Sequence, residues 1–357
     1  MKILLVHPGA AISVHDVHDG LRYGLRAHGV EVIDYGLYGR IKSAKNYMHW
    51  LWRKAEGKLQ KPTWGDVLYH AGSGLLERAV RHEVDLVLAV SGMFVHPDAL
   101  VLLRRAGVKT GILFTESPYA VEEEMRLAQF VDVAWTMERT SVGAFKSVCP
   151  NAFYLAHAWH PLKHVPDLPL EADIPKHDVV FVGTGWPERV ELFEGIDWSG
   201  IDFGLYGPDW KLSRRSPLRA HLRRQGVPNE RTAQLYRAAR IGLNLHRSLK
   251  GFDKTGPQLA QAAQSMNPRA LELAACGVFS LSDTRAEVVE TFDDAVPTFE
   301  TAAQAETLIR HYLAHEDERL ARARRLPAMV AEDSWLFRAA EVIGHISTSL
   351  AGRRAAA

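Results

Sequence analysis

The stretch Ser265–Asp283, SMNPRALELAACGVFSLSD, carries the residue types that hold a phosphate and a ribose. Pro268 suits the first turn of a helix, which puts Asn267 at the cap. Backbone N–H groups at a helix front attract an anion, and Arg269 can clamp a phosphate with two parallel donors. Glu272, one turn further on, is spaced to accept two ribose hydroxyls. The same spacing permits a plainer reading, in which Asn267 caps the helix and Glu272 pairs with Arg269 at i,i+3. A second candidate is FVGTGWPER, Phe181–Arg189, where Gly183, Thr184 and Gly185 leave a strand and enter a helix. Its amides can approach a diphosphate with Arg189 beside them, or the glycines can serve a tight turn alone. It lacks the full dinucleotide fingerprint and the lysine of a Walker loop. A third is GLNLHRS, Gly242–Ser248, which sets His246 and Arg247 at the carboxyl end of a buried strand, as ligand contacts or as edge residues.

The N-terminal half holds different chemistry. HPGAAISVHDVHDG gathers His7, His15, Asp16, His18 and Asp19 around the first loop and helix start. A metal site there needs a convergence that a loop does not guarantee, and none is expected. A general base is the simpler use, since Asp16 or His15 can take a proton from a hydroxyl; Asp16 also suits the positive end of a helix. Glu116 in FTESPY, and His157 and His160 in LAHAWHP, can line a cleft from the first half or satisfy local hydrogen bonds. The run KLSRRSPLRAHLRRQ supplies Lys211, Arg214, Arg215, Arg219, Arg223 and Arg224 with no acidic residue among them. It can hold phosphates of a nucleic acid, with Trp210 stacked on a base, or form a solvated helix face.

Strand and helix signals alternate along the whole chain. Lys2–His7 reads as a buried strand, His15–His28 as an amphipathic helix stopped by Gly29, and Val30–Ile33 as the next strand. Strands follow at Asp85–Val90, Val108–Phe114, Val131–Thr136 and Ala152–Leu155. His164–His177 carries Pro166, Pro169 and Pro175 without helical period and reads as a linker. The pattern then restarts with strands at Asp178–Val182, Phe203–Tyr206, Ile241–Leu245 and Val278–Leu281. The expected architecture is α/β: two Rossmann-like domains facing across a cleft. They divide into an N-terminal domain 1–165, a C-terminal domain 166–334, and a last helix, 335–357, that packs back on the first. In such sheets ligands sit at carboxyl ends of strands, at a switch point. A formal charge of +1 gives no global field toward nucleic acid or anionic membranes, and two cysteines exclude a disulfide framework. With no signal-peptide core after Met1 and no apolar run near the roughly 20 residues that span a bilayer, a cytoplasmic protein is expected.

On these residues the chain resembles the GT-B glycosyltransferases, in particular the spore-maturation-type set related to group 1 enzymes. NPRALELAACGVFSLSD looks like the family's Asn-x-Arg-x-x-Glu helix, glycine turn and strand to Asp; FVGTGWPER, LYG at 205–207, LYRAARIGLNLHR and TESPY follow the family order. The resemblance implies transfer of a sugar from a nucleoside-diphosphate donor, a UDP-sugar, to an acceptor hydroxyl, without a cofactor or metal. Carried over by position, Glu272 binds the ribose, and Asn267, Arg269 and Gly183–Gly185 face the diphosphate, with Arg189 and His246 near. Many retaining relatives place a second glutamate eight residues before the ribose-binding one, where this chain has Gln264. An inverting course needs a base in the first half, and Asp16, then His15, then Glu116 are the choices. The acceptor is a glycan or small molecule, or a hydroxymethylated pyrimidine in DNA read through Lys211, Arg214, Arg215, Arg223 and Arg224. A non-catalytic sugar-nucleotide-binding protein and a sugar-nucleotide epimerase are the rival readings.

Overall fold

The computed structural model describes residues 1–9, 14–224, 226–248 and 263–351. Its first sheet is built from β1 (Lys2–Val6), β2 (Glu31–Tyr35), β3 (Leu86–Val90), β4 (Thr110–Phe114), β5 (Val133–Thr136) and β6 (Ala152–Tyr154). The order is β2-β1-β3-β4-β5-β6, with every pair parallel. A parallel sheet covered by helices on both faces wants unbroken apolar strands, and LVLAV of β3 and TGILF of β4 are buried at every position. Three helices that the sequence reading did not identify follow β2: Leu37–Lys54, Trp64–Gly72 and Leu75–Arg81. The middle one is opened by a capping box between Thr63 and Asp66.

The second sheet holds β7 (Val179–Val182), β8 (Phe203–Tyr206), β9 (Leu222–Arg224), β10 (Ile241–Asn244), β11 (Ser280–Asp283) and β12 (Thr298–Phe299). Its order is β12-β11-β10-β7-β8-β9, again all parallel. An aromatic core of Phe181, Phe193, Trp198, Phe203 and Trp210 lies under it. The chain reverses its direction of travel across the first sheet between β1 and β3, and across the second between β7 and β10. The carboxyl ends of those strands are the places where such sheets bind ligands.

Contacts divide the chain into two units. One takes Met1–Ala156 and the C-terminal segment from Trp335, the other His157–Ser334. In the first unit the helix Trp335–Ala351 lies along Val14–Ala27, where small residues let it in. A Cβ on Gly20 would stand 2.1 Å from the Trp335 ring, and one on Gly24 2.1 Å from the Trp335 carbonyl. The sequence expectation put the join near residue 165, whereas the division falls between Ala156 and His157. The proline-rich segment belongs with the second unit because the helix Asn229–Ala238 holds it. Arg237 donates to the carbonyls of Pro166 and Leu168, and Arg231 pairs with Glu171 and Asp173. His157 and His160, expected in the first half, therefore lie in the second unit. Among the described residues no helix is long and apolar enough to cross a membrane.

Candidate functional site

Two arginines tie the second sheet together at its switch point. Arg269, near the start of the helix Pro268–Ala275, donates through Nε to Val182 O at 2.9 Å and through Nη1 to Leu245 O at 3.0 Å. Arg189, from the helix Pro187–Glu194, donates to Thr184 O at 2.9 Å and to Leu245 O at 2.7 Å. The ring of Phe181 lies near both guanidinium carbons, at 4.7 Å from Arg269 and 5.3 Å from Arg189. Asn267 adds a third donor to Leu245 O at 3.0 Å, while its Oδ1 caps Ala270 N at 3.2 Å. The ends of β7 and β10 are thus held by side chains that the sequence reading aimed at a diphosphate. That is a correction for Arg189, which is buried. Its Nη atoms serve backbone carbonyls and its Nε has no hydrogen-bond partner among the described residues. The charge nevertheless stays: burial first, then Arg269, lowers the Arg189 pKa to about 9, which still leaves Arg189 a cation at neutral pH.

The glycine loop is also committed to packing. Gly183 N donates to Tyr206 O at 3.0 Å and Gly185 N to Pro208 O at 2.9 Å, so these two amides do not project toward a ligand as the sequence reading had them. A Cβ on Gly185 would stand 2.6 Å from Trp210 Cα, and one on Gly183 2.6 Å from Arg269 Nη2. The glycines are there for close approach, with Thr184 between them giving its carbonyl to Arg189.

Beyond the clamp, His246 follows β10 and meets Asp283, the last residue of β11. Its Nδ1 lies 2.6 Å from Asp283 Oδ1, and its backbone N donates to both carboxylate oxygens at 3.1 Å. Burial lowers the His246 pKa, against the pull of Asp283. Burial alone would raise Asp283, but His246 and Arg285 hold its carboxyl below the usual range. A neutral ring giving Nδ1–H to an ionised carboxylate leaves Nε2 as the working atom, and that atom is buried without a hydrogen-bond partner among the described residues. Asp283 and Arg285 were not among the sequence candidates; a carboxylate at the carboxyl end of a strand was the available signal.

Glu272 does not pair with Arg269 as the plainer reading allowed. It sits in a chain of polar contacts from the helix Asn229–Ala238 and the segment before β7. His160 N donates to His164 Nδ1 at 3.0 Å, which leaves the proton on Nε2 to reach Asn229 Oδ1 at 3.3 Å. The Asn229 amide in turn bonds the Glu272 carboxyl, which stands 3.8 Å from His164 Nε2. Burial lowers His164 to about 4 and raises Glu272 to about 7, with Arg269, Lys163 and Asn229 opposing the latter. The carboxyl is therefore held by the Asn229 amide, which the neutral His164 ring orients, and near neutral pH it is poised to ionise.

The other sequence candidates scatter. In the first unit, His15 is exposed and Asp16 half-buried in the first turn of Val14–Ala27, past the carboxyl end of β1. Glu116 follows β4 and is buried, its backbone N donating to Glu124 at 2.8 Å. Glu124, which sequence reading passed over, is fully enclosed and pushed up to about 8 by burial. The basic run is not a helix face: a 3-10 turn, Pro217–Ala220, leads into β9. Lys211, Arg214 and Arg215 are exposed, and Arg223 pairs with Asp202 at 3.1 Å. Arg224 ends β9, and its side chain lies outside the described residues. Trp210 is in the core, 6.0 Å from both Phe181 and Phe193, with Nε1 donating to Gly183 O, and so is not a stacking platform.

Comparison with known proteins bears on both units. A family profile described as glycosyl transferase-like matches residues 168–343. No curated protein sequence matches the chain. Among solved structures, the sucrose-phosphate synthase of Thermosynechococcus elongatus superposes with a TM-score of 0.65 at 13% identity, covering 99% of this chain and 100% of its own. HepE of Anabaena, in complex with UDP-glucose, gives 0.62 at 12% identity, with 98% and 100% covered. A UDP-forming α,α-trehalose-phosphate synthase from Burkholderia xenovorans, in complex with glucose-6-phosphate, gives 0.61 at 12% identity, with 97% and 100% covered. The fold shared with these chains is the pair of Rossmann-like domains known as GT-B.

Proposed function

We propose that this chain, whose residues 168–343 match the glycosyl transferase-like family and whose fold is shared with GT-B enzymes, is a glycosyltransferase that moves a sugar from a UDP-sugar held by the second unit to a hydroxyl of a glycan or small molecule. The observation that carries this reading is the cluster at the β7/β10 switch point. Two arginines and a buried His246 Nε2 with no partner among the described residues belong to that edge, and Glu272, whose pKa is raised to about 7, lies on the helix that carries Arg269. A diphosphate there meets the field of Arg269 and Arg189 and the front of the helix Pro268–Ala275. His246 Nε2 takes up the hydrogen-bonding capacity of a phosphate or sugar hydroxyl, and Glu272 accepts from the ribose. The UDP-glucose carried by HepE supports the choice of uridine.

In the proposed reaction a base of the first unit takes the proton of the acceptor hydroxyl. The oxygen attacks the anomeric carbon as the bond to the diphosphate breaks, and the fixed cations offset the charge that develops on the leaving group. Asp16 is the first choice of base, His15 and Glu116 the next. The core position of Trp210 and the pairing of Arg223 favour a glycan or small-molecule acceptor over DNA.

The test is a panel of nucleotide sugars scored by thermal shift, followed by UDP release with and without acceptors. A UDP-sugar should raise the melting temperature, and Arg269→Lys, which loses the two-pronged grip on the strand ends, should bind it about tenfold or more weakly. Failure of every nucleotide sugar to bind would refute the donor site. Tight binding without turnover on any acceptor would instead indicate a binding protein, and conversion of the donor alone an epimerase. Duplex binding that falls steeply with salt and is lost on charge reversal at Arg214 and Arg215 would move the acceptor to DNA.

A further inference from the structure

The first sheet has its own cluster at its switch point, and the donor reading does not use it. His7 follows β1, and His15 and His18 lie one turn apart at the start of Val14–Ala27. One nitrogen from each of the three rings falls within 4.8 Å of the others. His7 Nε2 and His15 Nδ1 are already 3.0 Å apart, close to the spacing of about 3.3 Å that two nitrogens adopt on a tetrahedral zinc ion. His18 is the independent sign. It is 4% exposed, and neither ring nitrogen has a hydrogen-bond partner among the described residues. Buried polar atoms are nearly always satisfied, so a side chain with two orphan nitrogens facing two other imidazoles calls for a missing partner.

We propose that His7, His15 and His18 form a binding site for a divalent transition metal of the zinc type. The donor set decides the class: three imidazoles suit zinc, cobalt, nickel or copper and not magnesium or calcium, which want oxygen. An entering ion takes one nitrogen from each ring and displaces the hydrogen bond between His7 and His15. His7 now accepts from Gly9 N through Nδ1 at 3.1 Å, and that contact gives way as the ring carries its one proton on the nitrogen facing away from the ion. The nearby Arg22 does not oppose the ion with a bare charge, since Asp19 holds it at 2.7 Å and Asp34 lies at 3.7 Å. His15 is exposed, so the fourth position opens to solvent and takes water or a ligand oxygen, the arrangement of zinc sites that bind substrate rather than only brace a fold. His15 would then be a ligand, leaving Asp16 as the base candidate on that helix.

The test uses the full chain, purified without a histidine tag, stripped with chelator and dialysed against zinc, with bound metal measured by mass spectrometry. One equivalent is expected, with affinity about tenfold or more weaker in both His15→Ala and His18→Gln. Cobalt in its place should give the visible absorption of a tetrahedral nitrogen site, lost in the same variants. Because His15 is exposed, His15→Ala should keep the circular dichroism and melting temperature of the metal-free parent, so its loss of metal is not a loss of fold. A parent that retains no zinc, or a His15→Ala variant that retains as much as the parent, overturns the site. Neither readout depends on sugar transfer.

Discussion

Replacing Glu272 by glutamine isolates the carboxyl at the second-unit site whose pKa burial raises. Burial raises its pKa from 4.5 to about 7. An acid with a higher pKa folded than unfolded keeps its proton in the native chain after the unfolded chain has released it. Native protein then binds more protons than unfolded protein, and stability falls as pH rises from the unfolded value through the folded one. This is the reverse of an ion-paired carboxylate. With those two values, and 1.36 kcal/mol per pKa unit, the wild-type chain loses about 2.5 kcal/mol between about pH 5 and about pH 8 through this group alone. Glutamine keeps the shape and has no proton to lose. The stability of Glu272→Gln relative to the parent should therefore shift by about 2.5 kcal/mol in the variant's favour over that interval. The assay is urea unfolding of the full chain, followed by circular dichroism at both pH values. A uridine-diphosphate titration of the same samples should show the opposite sign, with weaker binding by the variant at the higher pH, where the parent carboxylate can accept two hydroxyls. A stability difference that is the same at both pH values would refute the claim that burial holds the proton on Glu272.

Three further substitutions probe the geometry. Asp283→Asn removes the charge from a 2.6 Å contact with His246 and two backbone bonds, and hydrogen bonds to charged groups contribute roughly 1.5–3 kcal/mol. A loss of about 2 kcal/mol near neutral pH is expected. It should shrink in acid, because a carboxyl held below its ordinary pKa stabilises the fold above the unfolded value and loses that contribution as pH falls through the folded one; an unchanged melting temperature would count against the His246–Asp283 pair. Gly185→Ala drives a methyl to 2.6 Å from Trp210 Cα, where backbone rather than a side-chain tip must move; about 1–3 kcal/mol should be lost, together with UDP affinity, and a neutral variant would mean that the loop is not packed there. For Gly20→Ala two effects compete. Helix preference favours alanine by about 1 kcal/mol, but its Cβ would lie 2.1 Å from the Trp335 ring. Overpacking should win and lower the melting temperature, whereas a stabilised variant would deny the packing of the last helix on the first.

Local patterns made much of this protein legible from its sequence. Unbroken apolar runs bounded by glycine or polar residues marked β1, β3, β4, β7 and β10, because strands of a covered parallel sheet need apolar residues on both faces. The Asn267–Pro268 cap marked the helix start, because the residue that closes it lies three positions away. The alternation of strands and helices set the α/β class, and the three histidines near the first helix were visible as a group, though not their convergence. Other features were set by distance in space. Arg189 and Arg269 read as outward cations, yet the order of β7 and β10 brings the Leu245 carbonyl between them, and its demand for donors turns them inward. Asp283 meets His246 only because β10 and β11 are neighbours with Asn244 beside Ser282. Trp210 looked like a surface platform beside a basic run, but the glycine loop left a slot that its ring fills. A one-dimensional pattern records which residues are apolar and how they repeat. Which strand lies beside which decides where a buried charge finds its partner.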